Sequence, residues 1–206
     1  MESLSLLSLV SRGKISLTKI ITILLFIREE GPIGRYRLCR ELRISEGILR
    51  GLLVRLAKSG LIVPLRAGSI LTPNGDKLLK SILNDLGIVS IKKINLEELS
   101  KSPINIVIQI RGIAINELGS CLEERDIAVR YGAKGAIIIT KEDYKLKIPS
   151  VYENLTEVYP RISYILETAF NINEGDVLAV VFDHNEWILR EAALAVALKL
   201  KGYLCM

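Results

Sequence analysis

Between residues 15 and 60 the apolar side chains recur every three or four positions, which is the spacing of amphipathic helices. Two breaks interrupt this spacing, Gly31-Pro32 and the short segment Ile44-Ser45. Glycine followed by proline ends a helix, and serine often stands just before the first residue of one. The pattern therefore predicts three helices with a tight turn between the last two, at about residues 17–30, 34–42 and 46–58.

A small hairpin is predicted directly after the third helix. Residues 61–63 are predicted as a strand, residues 64–69 as a turn and residues 70–71 as the returning strand. Thr72 then caps a further helix, which has proline at its first position. Three helices followed by a hairpin and another helix is the order of a winged helix-turn-helix domain.

Two motifs agree with this order. The third helix leads into Ser59-Gly60-Leu61-Ile62, and the hairpin leads into Leu71-Thr72-Pro73-Asn74-Gly75. Both motifs resemble those of winged helix-turn-helix regulators from prokaryotes, and the resemblance covers about residues 15–85. It implies a DNA-binding domain whose third helix is the recognition helix.

Charge is distributed unevenly along the chain. Residues 1–90 contain 14 Lys and Arg against 7 Asp and Glu, whereas residues 91–206 contain 14 against 16. Nine of the 14 cations in the first part are arginines, which form paired hydrogen bonds with phosphate and guanine. We therefore expect the N-terminal part to bind double-stranded DNA, with protein or RNA contacts as alternatives.

The candidate DNA contacts lie on the second and third helices and on the wing. In this fold the first turns of the third helix face base edges, where Arg50 can reach guanine or phosphate. Glu46 can accept a hydrogen bond from cytosine or simply stabilise the helix N-terminus. The full predicted set is Arg35, Arg37, Ser45, Glu46, Gly47, Arg50, Arg55, Lys58 and Arg66.

The rest of the chain predicts an α+β domain. Strand-like patterns occur at about residues 88–94, 104–111, 136–140, 144–148 and 177–182. Helices are predicted at about residues 121–131, 155–170 and 186–200. These elements predict a mixed α+β sheet domain with helices on one face. The predicted domains are thus a DNA-binding domain over residues 1–87 and a ligand-sensing or dimerisation domain over residues 88–206.

A second resemblance extends over nearly the whole chain. Residues 125–136, with the sequence RDIAVRYGAKGA, resemble an uncharacterised archaeal family in which a winged helix precedes a C-terminal domain of unknown function. The turn Gly175-Asp176-Val177 and the alanine-rich last helix are similar to the end of that family. The resemblance implies the two-domain architecture and no particular ligand.

The second domain lacks the residue patterns of common active sites. It has one histidine, no phosphate-binding loop and no spaced cysteine pair, so we predict no enzyme, no cofactor and no metal site. Polar residues instead gather at the ends of predicted elements, where sheets of this kind bind ligands. We expect a pocket for a small anionic metabolite formed by Arg125, Asp126, Asp183 and Asn185.

Cell location and assembly follow from the apolar segments. The longest apolar run, residues 20–27, is shorter than the roughly 20 residues of a bilayer span, and the N-terminus lacks a signal-peptide pattern. We therefore expect a cytoplasmic protein, and its few amides with abundant Ile, Lys and Glu are typical of thermophiles. The apolar first ten residues predict a homodimer formed through the N-terminal arm and the first helix.

Together these features predict a DNA-binding transcriptional regulator. Two other classes remain open. One is an enzyme in which Arg125, Asp126 and Asp183 do acid–base chemistry and the winged helix is a docking module. The other is a non-catalytic assembly protein. A large pocket at these residues favours a sensor or an enzyme, whereas a flat domain with an apolar patch favours assembly.

Overall fold

The fold is that of a computed structural model, which describes residues 15–183 and 185–204. The chain packs as two compact units that divide between Asp85 and Leu86. None of the described helices is both long and apolar enough to cross a membrane.

Three helices form the body of the first unit: α1 (Leu17–Glu30), α2 (Arg35–Leu42) and α3 (Glu46–Lys58). Helix α1 starts where Ser16 caps it, because the Ser16 hydroxyl accepts a hydrogen bond from the Lys19 amide at 3.2 Å. Its apolar residues 20–27 are buried, and the buried stripe of α3 is Leu49, Leu52 and Leu56.

A two-stranded antiparallel wing follows, made of β1 (Ile62–Leu65) and β2 (Gly68–Leu71). The Thr72 hydroxyl accepts a hydrogen bond from the Gly75 amide at 2.9 Å and so caps α4 (Pro73–Asp85). A side chain at Gly75 would collide with the backbone carbonyl of Leu61, which explains the glycine of this motif. The predicted winged helix-turn-helix is confirmed.

The second unit is built on a five-stranded sheet. Its strands are β3 (Ile88–Lys93), β4 (Ile104–Ile110), β5 (Gly135–Glu142), β6 (Lys145–Lys147) and β7 (Val177–Asp183). They lie in the order β3-β4-β7-β5-β6, and every neighbouring pair is antiparallel. The predicted α+β class is confirmed, and the last strand of the chain lies at the centre of the sheet.

The helices of this unit are α5 (Glu97–Ser100), α6 (Leu122–Arg130), α7 (Leu155–Val158), α8 (Pro160–Ala169) and α9 (Glu186–Leu200), with a 3₁₀ turn at Ile115–Glu117. The single helix predicted over residues 155–170 is two helices, because Pro160 begins α8 rather than continuing α7. Asn185 caps α9 by accepting a hydrogen bond from the Ile188 amide at 3.0 Å.

The helices cover both faces of the sheet, and the predicted one-face arrangement is wrong. Leu155, Ile162 and Leu166 of α7 and α8 pack in one cluster with Val107 and Val180. Helices α6 and α9 pack against β4, β5 and β7. Alternate strand residues point to opposite faces, and nearly all of β4 is buried, so both faces need a covering layer.

Candidate nucleic-acid interface

A groove of about 570 Å³ lies between α3, the start of α2 and the wing. Apolar side chains from α3 and the wing line it, among them Leu53, Val54, Ala57 and Leu65. Four cationic side chains also line it, Arg35, Arg50, Lys58 and Arg66. We call this feature the basic-rimmed groove. Its cations can bind the phosphates of a duplex. Its apolar side chains can contact nonpolar groups of a bound partner.

Glu46 holds two of these arginines in place. Its carboxylate accepts a hydrogen bond from Arg50 Nη2 at 3.0 Å and forms an ion pair with Arg35, whose Nε lies 3.1 Å from the same oxygen. The Arg50 side chain nevertheless remains 62% exposed. The pairing with Arg50 spans one helical turn and lies in the first turn of α3, where a carboxylate also interacts favourably with the helix dipole. Arg50 is therefore pre-oriented and still free to meet a base or phosphate.

The other predicted contacts lie outside the basic-rimmed groove. Arg37 pairs with Glu30 and stacks on the Phe26 ring, with its guanidinium carbon 5.4 Å from the ring centroid, so it is engaged with α1. Ser45 occupies the N-cap position of α3 without a side-chain capping bond. Arg55 is half-buried on the flank of α3, and Gly47 is exposed on its first turn.

Tyr36 was missed by the sequence analysis. Its side chain is 70% exposed and lines the basic-rimmed groove at the start of α2. The Arg35 guanidinium lies 5.1 Å from its ring centroid and donates to its hydroxyl at 3.4 Å, a bond that raises the pKa of Arg35. Its position between Arg35 and Arg37 in the sequence could have indicated this role, because an exposed aromatic side chain beside cations suits a nucleic-acid-binding surface.

In the described part of the second unit, the residues predicted for the metabolite pocket do not come together. Gly132, just after α6, lies against Ile188 near the start of α9, whereas Glu123 pairs with Lys199 at the end of α9 at 2.5 Å. The two helices therefore run antiparallel, and α9 is about 22 Å long.

The exposed side chains of Arg125 and Asp126 consequently lie towards the C-terminal end of α9, whereas Asp183 and Asn185 lie at its N-terminal end. The prediction that these four residues converge is wrong. The last residues of α6 lead into β5, which begins beside Phe182, whereas Arg125 and Asp126 lie nearer the start of α6. The Asn185 amide is already used as a helix cap. His184, between the two, lies outside the described residues.

A different cavity of about 540 Å³ lies at the start of α6. Glu123, Glu124, Lys199 and Cys121 line it together with apolar residues of the preceding loop. Burial, with the nearby Glu124 charge, raises the pKa of the Cys121 thiol to about 11. The thiol is therefore protonated at neutral pH and is a poor nucleophile or metal ligand. In the described part of the chain no cluster of three His, Cys, Asp or Glu residues is placed to hold a metal ion.

The buried carboxylate of Asp176, beside the end of β4, stabilises the fold. Asp176 is 2% exposed and accepts from Gln109 at 2.6 Å, from Arg111 at 3.0 Å and from the Asn173 amide at 2.9 Å. Such a fully bonded carboxylate ties β4 to the turn before β7. It explains why Gln109 occurs in the largely apolar strand β4.

Comparison with known proteins agrees with this architecture. Residues 17–86 match the CggR N-terminal DNA binding domain, and residues 101–200 match a domain of unknown function, DUF4443. The chain therefore joins a segment similar to a DNA-binding domain to a segment similar to DUF4443, and by this similarity we call residues 86–204 the DUF4443 domain. This confirms the resemblance to archaeal winged helix-turn-helix proteins with a C-terminal domain of unknown function.

One solved structure is similar to this chain in fold. It is a hypothetical protein from Pyrococcus horikoshii OT3, 23% identical in sequence, with a TM-score of 0.72. The match covers 91% of this chain and 94% of that one. No curated protein matches the chain.

Proposed function

We propose that this chain is a transcriptional regulator that acts in the cytoplasm, binds duplex DNA through its winged helix and catalyses no reaction. The observation that carries the proposal is the basic-rimmed groove, where Arg35, Arg50, Lys58 and Arg66 surround α3 and the wing. A helix of 13 residues is about 20 Å long and fits the major groove. Arg66, in the turn between the wing strands, is in the position to contact the backbone or minor groove.

The proposed regulator is a homodimer, because dimeric winged helices bind paired half-sites. The predicted N-terminal arm lies outside the described residues. The predicted first helix is not an open apolar face, since residues 20–27 of α1 are buried within the chain. Exposed apolar side chains occur in both units. Val54 and Leu65 of the first unit line the basic-rimmed groove, and those of the DUF4443 domain, among them Leu122, Val129, Val151 and Tyr164, are available for a dimer contact.

We therefore assign the dimer contact to the DUF4443 domain. We assign no site to the small anionic metabolite expected as effector, because Arg125 and Asp183 do not lie together. Any effector of a regulator must bind the DNA-competent and DNA-incompetent states with different affinity. That requirement provides a direct test for metabolites once a DNA site is known.

Selection of duplexes from a random-sequence pool with the full chain is expected to return an inverted repeat. Its half-sites should lie about 10 base pairs apart, or a multiple of that, as two-fold-related recognition helices require. Light scattering of the same sample should give twice the 22.9 kDa mass of one chain. A single unrepeated site with a monomer mass would refute the dimer, and a pool with no enriched sequence would refute the regulator.

A further inference from the structure

An exposed apolar side chain lies in the middle of the proposed reading surface. Val54 is 49% exposed although it lines the basic-rimmed groove. It stands one helical turn after Arg50 and one turn before Lys58, so the three side chains share the outward side of α3. The surface that faces DNA in the proposed function therefore has an apolar centre between two cations.

The helix backbone beside Val54 is unusually open. Gly47 and Gly51 lie on the same side of α3 as Val54. A Cβ atom at Gly47 would meet nothing within 4 Å, and one at Gly51 would meet only the Arg55 guanidinium at 3.4 Å. Glycine is unfavourable inside helices, and neither residue is required by the packing of this domain. The two glycines let an external partner approach the backbone closely, with Val54 as the side chain that protrudes.

The major groove offers one apolar group to such a side chain, the 5-methyl group of thymine. Cytosine, guanine and adenine carry no methyl group at this edge. We infer that Val54 packs against a thymine methyl group of the DNA site, next to the base contacted by Arg50. The inference rests on the proposed function and adds the identity of one base to it.

Replacement of thymine by deoxyuridine tests this contact, because it removes the methyl group and leaves base pairing intact. Selected duplexes carrying deoxyuridine at each thymine in turn are titrated with the full chain, and affinity is measured by fluorescence anisotropy. For the natural sequence we expect about a fourfold loss of affinity at one thymine of each half-site, the value of one buried methyl-sized group.

The variant Val54→Ala should bind the unmodified duplex more weakly and lose its sensitivity to deoxyuridine at that thymine. Val63→Ala is the matched control, because Val63 is also exposed on this domain, at 40%, but does not line the groove. It should keep the fourfold sensitivity. Thermal unfolding checks that both variants remain folded.

Three results would overturn the inference while the proposed function stands. They are selected half-sites without thymine, equal affinity for every deoxyuridine duplex, and a deoxyuridine effect that is the same in Val54→Ala as in the natural sequence. Absence of binding to any duplex is a distinct result, because it would remove the proposed function together with the inference.

Discussion

Raising NaCl from 50 to 200 mM is expected to weaken the binding of duplex DNA by about 10²- to 10³-fold for each protomer. The groove carries Arg35, Arg50, Lys58 and Arg66, and with neighbouring cations we expect four to six phosphate contacts, roughly the number that such a domain forms. Each contact releases counterions and adds about 0.9 to the slope of log K against log salt. Fluorescence anisotropy with a labelled duplex measures this slope.

Paired variants locate the cations that give this slope. The double variant Lys58→Ala, Arg66→Ala should lower the slope by about 1.8, since two phosphate contacts are removed. The matched control is Lys134→Ala, Lys145→Ala, which removes two exposed lysines of the DUF4443 domain and should leave the slope unchanged. A slope near zero, or one that only the control variant lowers, would contradict the proposed interface.

Replacing Arg50 with alanine is expected to reduce affinity for a selected site by about 1–3 kcal/mol and to relax the preference at one base position. The reason is that Arg50 is exposed on the outward side of α3 and is oriented by Glu46. Arg66→Ala should instead weaken binding to all sequences alike, because phosphates carry no sequence information. Competition titrations with single-base variants of the site separate these two effects.

The folded state should be little affected by the Arg50 substitution. The exposed Arg50–Glu46 pair is worth at most about 0.5 kcal/mol, so the unfolding temperature should stay close to that of the natural protein. Arg161→Ala, at an exposed arginine of the DUF4443 domain, is the control for loss of one positive charge. Unchanged affinity and unchanged base preference in Arg50→Ala would show that α3 does not contact bases through this residue.

Local signals in the sequence predicted most of the elements. Ser16 caps α1 and Thr72 caps α4, each through a hydrogen bond from a backbone amide to its hydroxyl. All five strands predicted for the second unit are present, because apolar and β-branched runs bounded by turns specify strands locally. These features depend on residues a few positions apart and are therefore readable from one sequence.

Features that depend on distant parts of the chain were not predictable in this way. The central position of β7 is fixed by pairing with β4 and β5, which are far from it in sequence. The metabolite pocket was placed at element ends without knowledge of the antiparallel packing of α6 and α9, and so Arg125 was assigned to the wrong end. Helices on both faces could be suspected only from β4, whose run of apolar residues is interrupted by Asn105 and Gln109.

The charges of the candidate interface were predictable from the sequence, but the contribution of Tyr36 was not. Arg35, Arg50, Lys58 and Arg66 were identified by their positions on helices and wing, and all four line the groove. The helical period predicts that Val54 is exposed, because it lies away from the buried stripe of Leu49, Leu52 and Leu56, and the structure agrees. Tyr36 became evident only when α2, α3 and the wing were seen to enclose one groove.

Ultraviolet cross-linking to a duplex that contains 5-bromodeoxyuridine most directly tests whether the winged helix is the DNA-binding surface. Mass spectrometry then identifies the cross-linked peptides of the full chain. We expect them to come from residues 35–71, which contain α2, α3 and the wing. Cross-links confined to residues 86–204, or a chain that forms none at 50 mM NaCl, would contradict DNA binding through the basic-rimmed groove.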